Sequence, residues 1–201
     1  MRLYYAPQTR AGRPRWLLEE IGLPYELVRL DLSKGEHKSP AYLKIHPHGA
    51  VPALVDGDLT MFESAAICAY VADKFPEQRL APPVGTPARG LYYQWMHYSM
   101  ATLEPPVLQV FLHTMMLPED KRSAAAVDEA RSRFAEVARV LEQALAGGPF
   151  ILGAQCTAAD VMLGSSLIWA KFMGLAGGCP EIAAYTGRLA ERPAFQRSRA
   201  D

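Results

Sequence analysis

Apolar and polar positions along the chain follow two different rhythms, a mixed one at the start and a helical one afterwards. Residues 2–5 are short and rich in Leu and Tyr, the composition of a strand. Ala6-Pro7-Gln8-Thr9 reads as a loop. Over residues 10–21, Trp16, Leu17, Leu18 and Ile21 fall near helical spacing, and Gly22 stands where a helix stops. Residues 25–30 read as a second strand, and Ser39-Pro40 opens a short helix reaching Ile45. Residues 53–55 and 59–62 flank Asp56-Gly57-Asp58, a hairpin turn signal. Residues 64–75 are helical, with Ile67, Tyr70, Val71 and Phe75 on one face. The order β-α-β-α-β-β-α predicts a small sheet with helices packed on it.

Residues 76–87 contain Pro76, Pro82, Pro83, Gly85 and Pro87, the composition of a linker. Beyond them nothing alternates with period two. Residues 88–117 read as helix, and Pro105-Pro106 is expected to kink or break it. Residues 119–146 form a long amphipathic pattern with Val127, Phe134, Val137, Leu141 and Leu145 on one face, ended by Gly147-Gly148. Residues 157–172 are a further helix whose start, Thr157-Ala158-Ala159-Asp160, has the form of a capping box with Asp in place of Glu. Residues 180–190 are another. The expected architecture is an α/β domain over residues 1–76, a linker over 77–87 and an all-α helical bundle domain over 88–201.

Composition narrows the function classes. Lys plus Arg equals Asp plus Glu at 21 each in 201 residues, and half of the residues are apolar. A nucleic-acid binder carries a basic surplus, and none is present. No apolar run approaches the roughly 20 residues that span a bilayer, and the N-terminus has no apolar signal region. The expectation is a soluble cytoplasmic protein. Cys68, Cys156 and Cys179 are widely spaced and form no CxxC pair, so they read as small buried residues rather than as a disulfide or zinc framework. His46-Pro47-His48 has no third ligand nearby in sequence and reads as a turn, not a metal pair.

Residues 35–70 hold the densest chemistry. A proline at position 52 cannot donate to a sheet ladder. A cis Val51-Pro52 bond, inexpensive before proline, turns the Val51 backbone outward to pair with an extended peptide. Glu63-Ser64 lies between a strand and a helix, where free N–H groups make an anion site. His37-Lys38 offers a cationic contact to a second carboxylate. A backbone edge flanked by two carboxylate sites suits a small charged peptide.

The order of strand, loop and helix, followed by GEHKSP, HPHGAVPAL, DGDL and FESAAI, closely resembles the glutathione transferases, with the phi-like and bacterial branches nearest. Thr157-Ala158-Ala159-Asp160 also matches that family's helical-domain capping motif. The resemblance implies a thioredoxin-like glutathione domain, a helical domain completing a second-substrate pocket, and a homodimer. It implies that Val51, before a cis Pro52, pairs with the cysteinyl backbone of glutathione. Glu63 and Ser64 then bind the γ-glutamyl end, and His37 and Lys38 lie near the glycine carboxylate. Ala50 and His46 depart from the family pattern, which often has Gln or Lys and Asn there.

The hydroxyl that ionises the thiol remains open between two residues. Gapless alignment puts Gln8 at the serine of serine-type relatives and Thr9 one residue later; Thr9 is preferred, and Tyr5 at the strand end is the alternative. Arg10 stands where cysteine-type relatives carry their cysteine and adds positive charge. No cysteine precedes Cys68, which disfavours mixed-disulfide chemistry and leaves conjugation of glutathione, as co-substrate, to a small apolar electrophile without a metal. Met96, Met100 and Glu104 share one helical face and are candidates for the second-substrate pocket, although most aromatic and Met positions of that helix read as core. A glutathione-dependent isomerase or peroxidase, and a non-catalytic binding module, are the alternative readings.

Overall fold

A computed structural model describes residues 1–200. The first elements are β1 (Arg2–Tyr5), α1 (Gly12–Ile21), β2 (Glu26–Arg29), α2 (Pro40–Leu43), β3 (Ala53–Asp56), β4 (Leu59–Phe62) and α3 (Ser64–Lys74). They are followed by α4 (Pro87–Tyr98), α5 (Glu104–Phe111), α6 (Ala124–Leu145), α7 (Ala158–Phe172), α8 (Pro180–Ala190) and α9 (Pro193–Arg199). The chain divides into two compact units, one of residues Met1–Leu80 with the segment from Glu191 onward, the other of Ala81–Ala190. The last segment, assigned above to the helical domain, therefore belongs with the sheet.

In the first unit the strands lie in the order β2-β1-β3-β4, with β1 parallel to β2 and the other two pairs antiparallel. This mixed sheet with its helices is the expected α/β half. Leu3 and Leu54 face each other across β1 and β3 and are wholly buried. α1 buries Trp16, Leu17, Leu18 and Ile21, packs on α3, and stops at Gly22, whose φ of 74° is the left-handed conformation a glycine adopts without a Cβ clash. α3 also packs on β3 and β4. α9, which the sequence pattern did not single out, packs on α1; Pro193 occupies its first turn, where a missing N–H costs nothing.

The second unit is all helix, as expected. The prolines at 105 and 106 do not interrupt it. They sit in the first turn of α5, just after a π-helical turn, Ser99–Leu103, in which the Glu104 N–H reaches back to the Ser99 carbonyl. A widened turn absorbs the donor that proline lacks and the clash its ring would cause. α6 starts at Ala124 rather than at 119, because the Ser123 side chain accepts from the Ala126 N–H at 3.2 Å and caps it there. α7 buries ten of its 15 residues, and Asp160 in its first turn is fully buried. Its carboxylate accepts from the N–H groups of Ile151 and Thr157, both at 2.8 Å, the Thr157 hydroxyl at 3.0 Å and the Tyr185 hydroxyl at 2.9 Å. Burial pushes this carboxyl above the ordinary range, and those four donors act against it.

Removing the acceptor strands four buried donors at once. Asp160→Ala is expected to lower the unfolding free energy by about 3 kcal/mol or more, read from urea denaturation; a loss under about 1 kcal/mol would show that water replaces the carboxylate there.

Candidate functional site

Three segments of the first unit carry the sequence-predicted residues. The first is the loop between β1 and α1. Thr9 is half-buried, its hydroxyl donates to the Ala6 carbonyl at 2.7 Å and accepts from the Ala11 N–H at 3.2 Å. The short loop is closed by that side chain, with Gln8 at a φ of 56°. Arg10 is exposed at the same end of α1. Tyr5 is buried, and its hydroxyl accepts from the Arg15 guanidinium at 3.0 Å. A cavity of about 270 Å³ is lined by Tyr5, Thr9 and Gly12 on one side and Ser198 and Arg199 on the other. A larger one, of about 560 Å³, lies against Ala6, Pro7 and the chain just after β2.

The second segment is the edge of β3. The Val51-Pro52 peptide is cis, as the sequence reading expects. The ladder to β1 and β4 begins only at Ala53, so the Val51 backbone lies outside it. Ala53 pairs with Phe62 at the end of that ladder, so the chain runs from Val51-Pro52 into β3, and from β4 into Glu63-Ser64, at the same end of the strand pair. Glu63 has φ 74° and ψ 109°, a conformation that costs a side-chain-bearing residue about 1–3 kcal/mol. No side chain caps the first turn of α3. The Ser64 hydroxyl is buried and accepts from Arg13 at 3.3 Å.

The third segment folds back against the second. Ser39 caps α2, Tyr42 of α2 is buried, and its hydroxyl donates to the Ala50 carbonyl at 2.6 Å. Lys38 donates to the His48 carbonyl at 2.8 Å, and half-buried His37 lies in the adjoining 3-10 turn. Gly49 has φ +54°, and a Cβ there would stand 2.5 Å from the His37 carbonyl. Only glycine permits this approach, which holds the His37-Lys38 turn against His48 and Gly49. His46 is buried, stacked on Phe62 with ring centroids 4.7 Å apart. Burial and neighbouring His48 hold its pKa below 6.5, while Glu63 pulls the other way. Among the described residues no group of three His, Cys, Asp or Glu is placed to hold a metal.

Sequence reasoning did not single out Arg13 or Tyr42. An arginine inside an amphipathic helix and a tyrosine in a four-residue helix both look structural until their partners are known. In the second unit, Met96 and Glu104 are buried, whereas Met100 in the π-helical turn is half-buried.

Residues 1–73 match the family model "Glutathione S-transferase, N-terminal domain", and residues 124–191 match "Glutathione S-transferase, C-terminal domain". The chain is 38% identical to glutathione S-transferase F9 of Arabidopsis thaliana over 152 residues, 72% of this chain and 68% of that one. It is 32% identical to glutathione S-transferase 3 of Zea mays over 98% of this chain and 92% of the other. Among solved structures, the glutathione transferase URE2P6 from Phanerochaete chrysosporium, in complex with oxidized glutathione, superposes with a TM-score of 0.87 at 31% identity, covering 98% of this chain and 93% of that one.

The buried, hard-to-protonate His46 predicts a pH dependence. Below its ordinary pKa the unfolded chain binds a proton that the folded chain resists, so stability falls as pH drops through the range under about 6.5. Urea midpoints taken at about pH 7.5 and 5.5 should show a smaller drop in His46→Gln than in the parent. Equal drops would assign the acid sensitivity elsewhere.

Proposed function

The chain belongs to the glutathione S-transferase family and is an enzyme of that class, and on that premise we propose that it ionises the thiol of glutathione and conjugates it to small apolar electrophiles. The single observation that carries the reading is that the unladdered, cis Val51-Pro52 segment and the uncapped start of α3 both leave the sheet at the terminal Ala53–Phe62 pair of one ladder. An extended peptide laid along Val51-Pro52 places an anionic end at that start, where free amides and the helix dipole favour negative charge. In this reading Glu63 and Ser64 take the γ-glutamyl end, Glu63 accepting from its ammonium. Val51 pairs with the cysteinyl backbone, and His37 and Lys38 face the glycine carboxylate.

The cysteinyl sulfur then lies towards the loop after β1. A free thiol near pKa 8.5 is only a few per cent thiolate at pH 7. A hydroxyl donated to sulfur and positive charge nearby both favour the anion. Thr9 is the hydroxyl we assign to this task, with Arg10 supplying charge at the same helix end. Thr9 donates to the Ala6 carbonyl, so this role requires its proton to turn to sulfur. Tyr5 stands second, because it is buried at the end of β1, where its hydroxyl accepts from Arg15. The thiolate attacks the electrophilic carbon, a new S–C bond forms, and the leaving group departs with the electron pair. The nucleophile is the co-substrate's own sulfur, so positioning and anion stabilisation suffice. Of Met96, Met100 and Glu104, Met100 keeps surface for an apolar acceptor, while Met96 and Glu104 act from within the core.

A homodimer and residence in the cytoplasm complete the reading; the three free cysteines accord with a reducing compartment.

Thr9→Val is expected to cut kcat/KM for 1-chloro-2,4-dinitrobenzene by about 10- to 100-fold and to raise the bound thiol's pKa by about one to two units, followed by thiolate absorbance against pH. An unchanged thiol pKa would move the role to Tyr5. Sedimentation equilibrium should return twice the 22.1 kDa chain mass; a monomer would remove the dimer from the proposal.

A further inference from the structure

The C-terminal segment is bound to α1 more heavily than a terminal tail requires. Arg192 makes a bidentate pair with Glu20, both contacts at 2.7 Å, and Glu20 also accepts from the Trp16 indole at 2.9 Å. Arg197 donates to the Glu19 carboxylate at 2.9 Å and to its carbonyl at 2.8 Å. Trp16 meets Phe195 edge-on with centroids 4.8 Å apart. One of these ties differs from the rest. Arg15 is buried, and its guanidinium spans two elements: one nitrogen donates to the Tyr5 hydroxyl at the end of β1, the other to the Ala200 carbonyl at 2.8 Å and the Arg197 carbonyl at 3.5 Å. These last two are carbonyls of the C-terminal end of α9, which a buried cation satisfies well.

The two elements that Arg15 joins are the two walls of the 270 Å³ cavity, Tyr5 and the loop to Thr9 on one side, Ser198 and Arg199 on the other. Tyr5 is the root of that loop, and the next residue, Ala6, holds the Thr9 hydroxyl. We propose that Arg15 is a positioning residue: it fixes α9 against the β1–α1 loop, so that the C-terminal segment forms one wall of the chamber in which Thr9 meets the thiol. This rests on the proposed function of that loop. The remaining ties, Glu20–Arg192, Glu19–Arg197 and Trp16–Phe195, hold α9 on α1, and none of their residues lines the cavity. The geometry therefore separates docking of the segment, shared among several contacts, from alignment of the loop, which runs through Arg15. Small displacements of a positioned group are costly in rate, so alignment has a kinetic signature that docking alone lacks.

The test compares Arg15→Met, Arg15→Lys and Glu20→Gln with the parent full-length protein. The readouts are the pKa of the bound glutathione thiol, kcat with 1-chloro-2,4-dinitrobenzene, KM for glutathione, and urea midpoints. Arg15→Met is expected to raise the bound thiol's pKa by about one unit and lower kcat about tenfold, since one unit is a tenfold change in thiolate. KM for glutathione should stay within about twofold, because the peptide edge at Val51 lies outside these contacts. Glu20→Gln should lower the urea midpoint and leave the thiol pKa unchanged. Arg15→Lys reaches one of the two acceptor sets at a time and should shift pKa and kcat in the same direction by less; if Arg15→Met does not fold, this variant decides. A parent-like thiol pKa and kcat in the folded Arg15 variants, or an equal pKa shift in Glu20→Gln, overturns the inference. A parent protein that fails to ionise bound glutathione overturns the functional reading itself, and this inference with it.

Discussion

Backbone groups outside regular pairing govern how the first unit is built for binding. A sheet strand begins at Ala53, so the Val51 peptide lies beyond the ladder, and α3 starts without a side chain to cap it. Backbone donors and acceptors in such places need partners from somewhere. On the proposed reading, the unladdered strand end and the uncapped helix start together receive a peptide that carries a carboxylate at its end, with little side-chain chemistry required. The surrounding residues fix these backbone positions. Tyr42 fixes the Ala50 carbonyl, Gly49 allows the turn to close on His37, and Arg13 holds Ser64.

Two of the three non-glycine residues at positive φ, Glu63 just before α3 and Gln8 in the β1–α1 loop, stand next to a proposed ligand contact; the third, Arg79, follows α3. A glycine would be easier at either position. Keeping a longer side chain there is reasonable when that side chain has work that a hydrogen atom cannot do. On the proposed reading, the work of Glu63 is to accept from the ammonium of the γ-glutamyl end. The second unit tolerates a different expense, a buried carboxylate, and meets it with four donors on Asp160.

Much of this was legible in the amino-acid order, because local rules agree with the tertiary result at most elements. The β1 strand, the hairpin at Gly57, the Gly22 stop and α8 follow from periodicity and turn residues alone. The failures occur where a long-range partner overrides a local preference. Pro105-Pro106 reads as a break because the preceding π-helical turn, which makes room for it, has no sequence signature. α9 is seven residues long and is held by Arg15, Trp16, Glu19 and Glu20, about 180 positions earlier in the chain; no window of sequence shows that. Within the site, Val51, Pro52, Glu63 and Ser64 were visible as types in an order. The engagement of Thr9 with Ala6, of Lys38 with His48 and of Tyr5 with Arg15 was not, since each depends on where the acceptor or donor falls in space.

The sulfur chemistry follows from which thiols the fold lets ionise. Cys68 is the one cysteine of the first unit, and it lies wholly buried on the inner face of α3. Burial pushes its thiol up to about 12, and the Arg13 charge recovers only part of that shift. At neutral pH it is therefore closed to nucleophilic attack and to disulfide exchange, both of which need the thiolate. The loop after β1, where an ionised cysteine would be exposed to solvent, carries Thr9 and Arg10 instead. A hydroxyl and a cation stabilise a thiolate without competing as one. On the proposed reading, that loop serves to make a visiting thiol reactive, and the product leaves with the sulfur it arrived on.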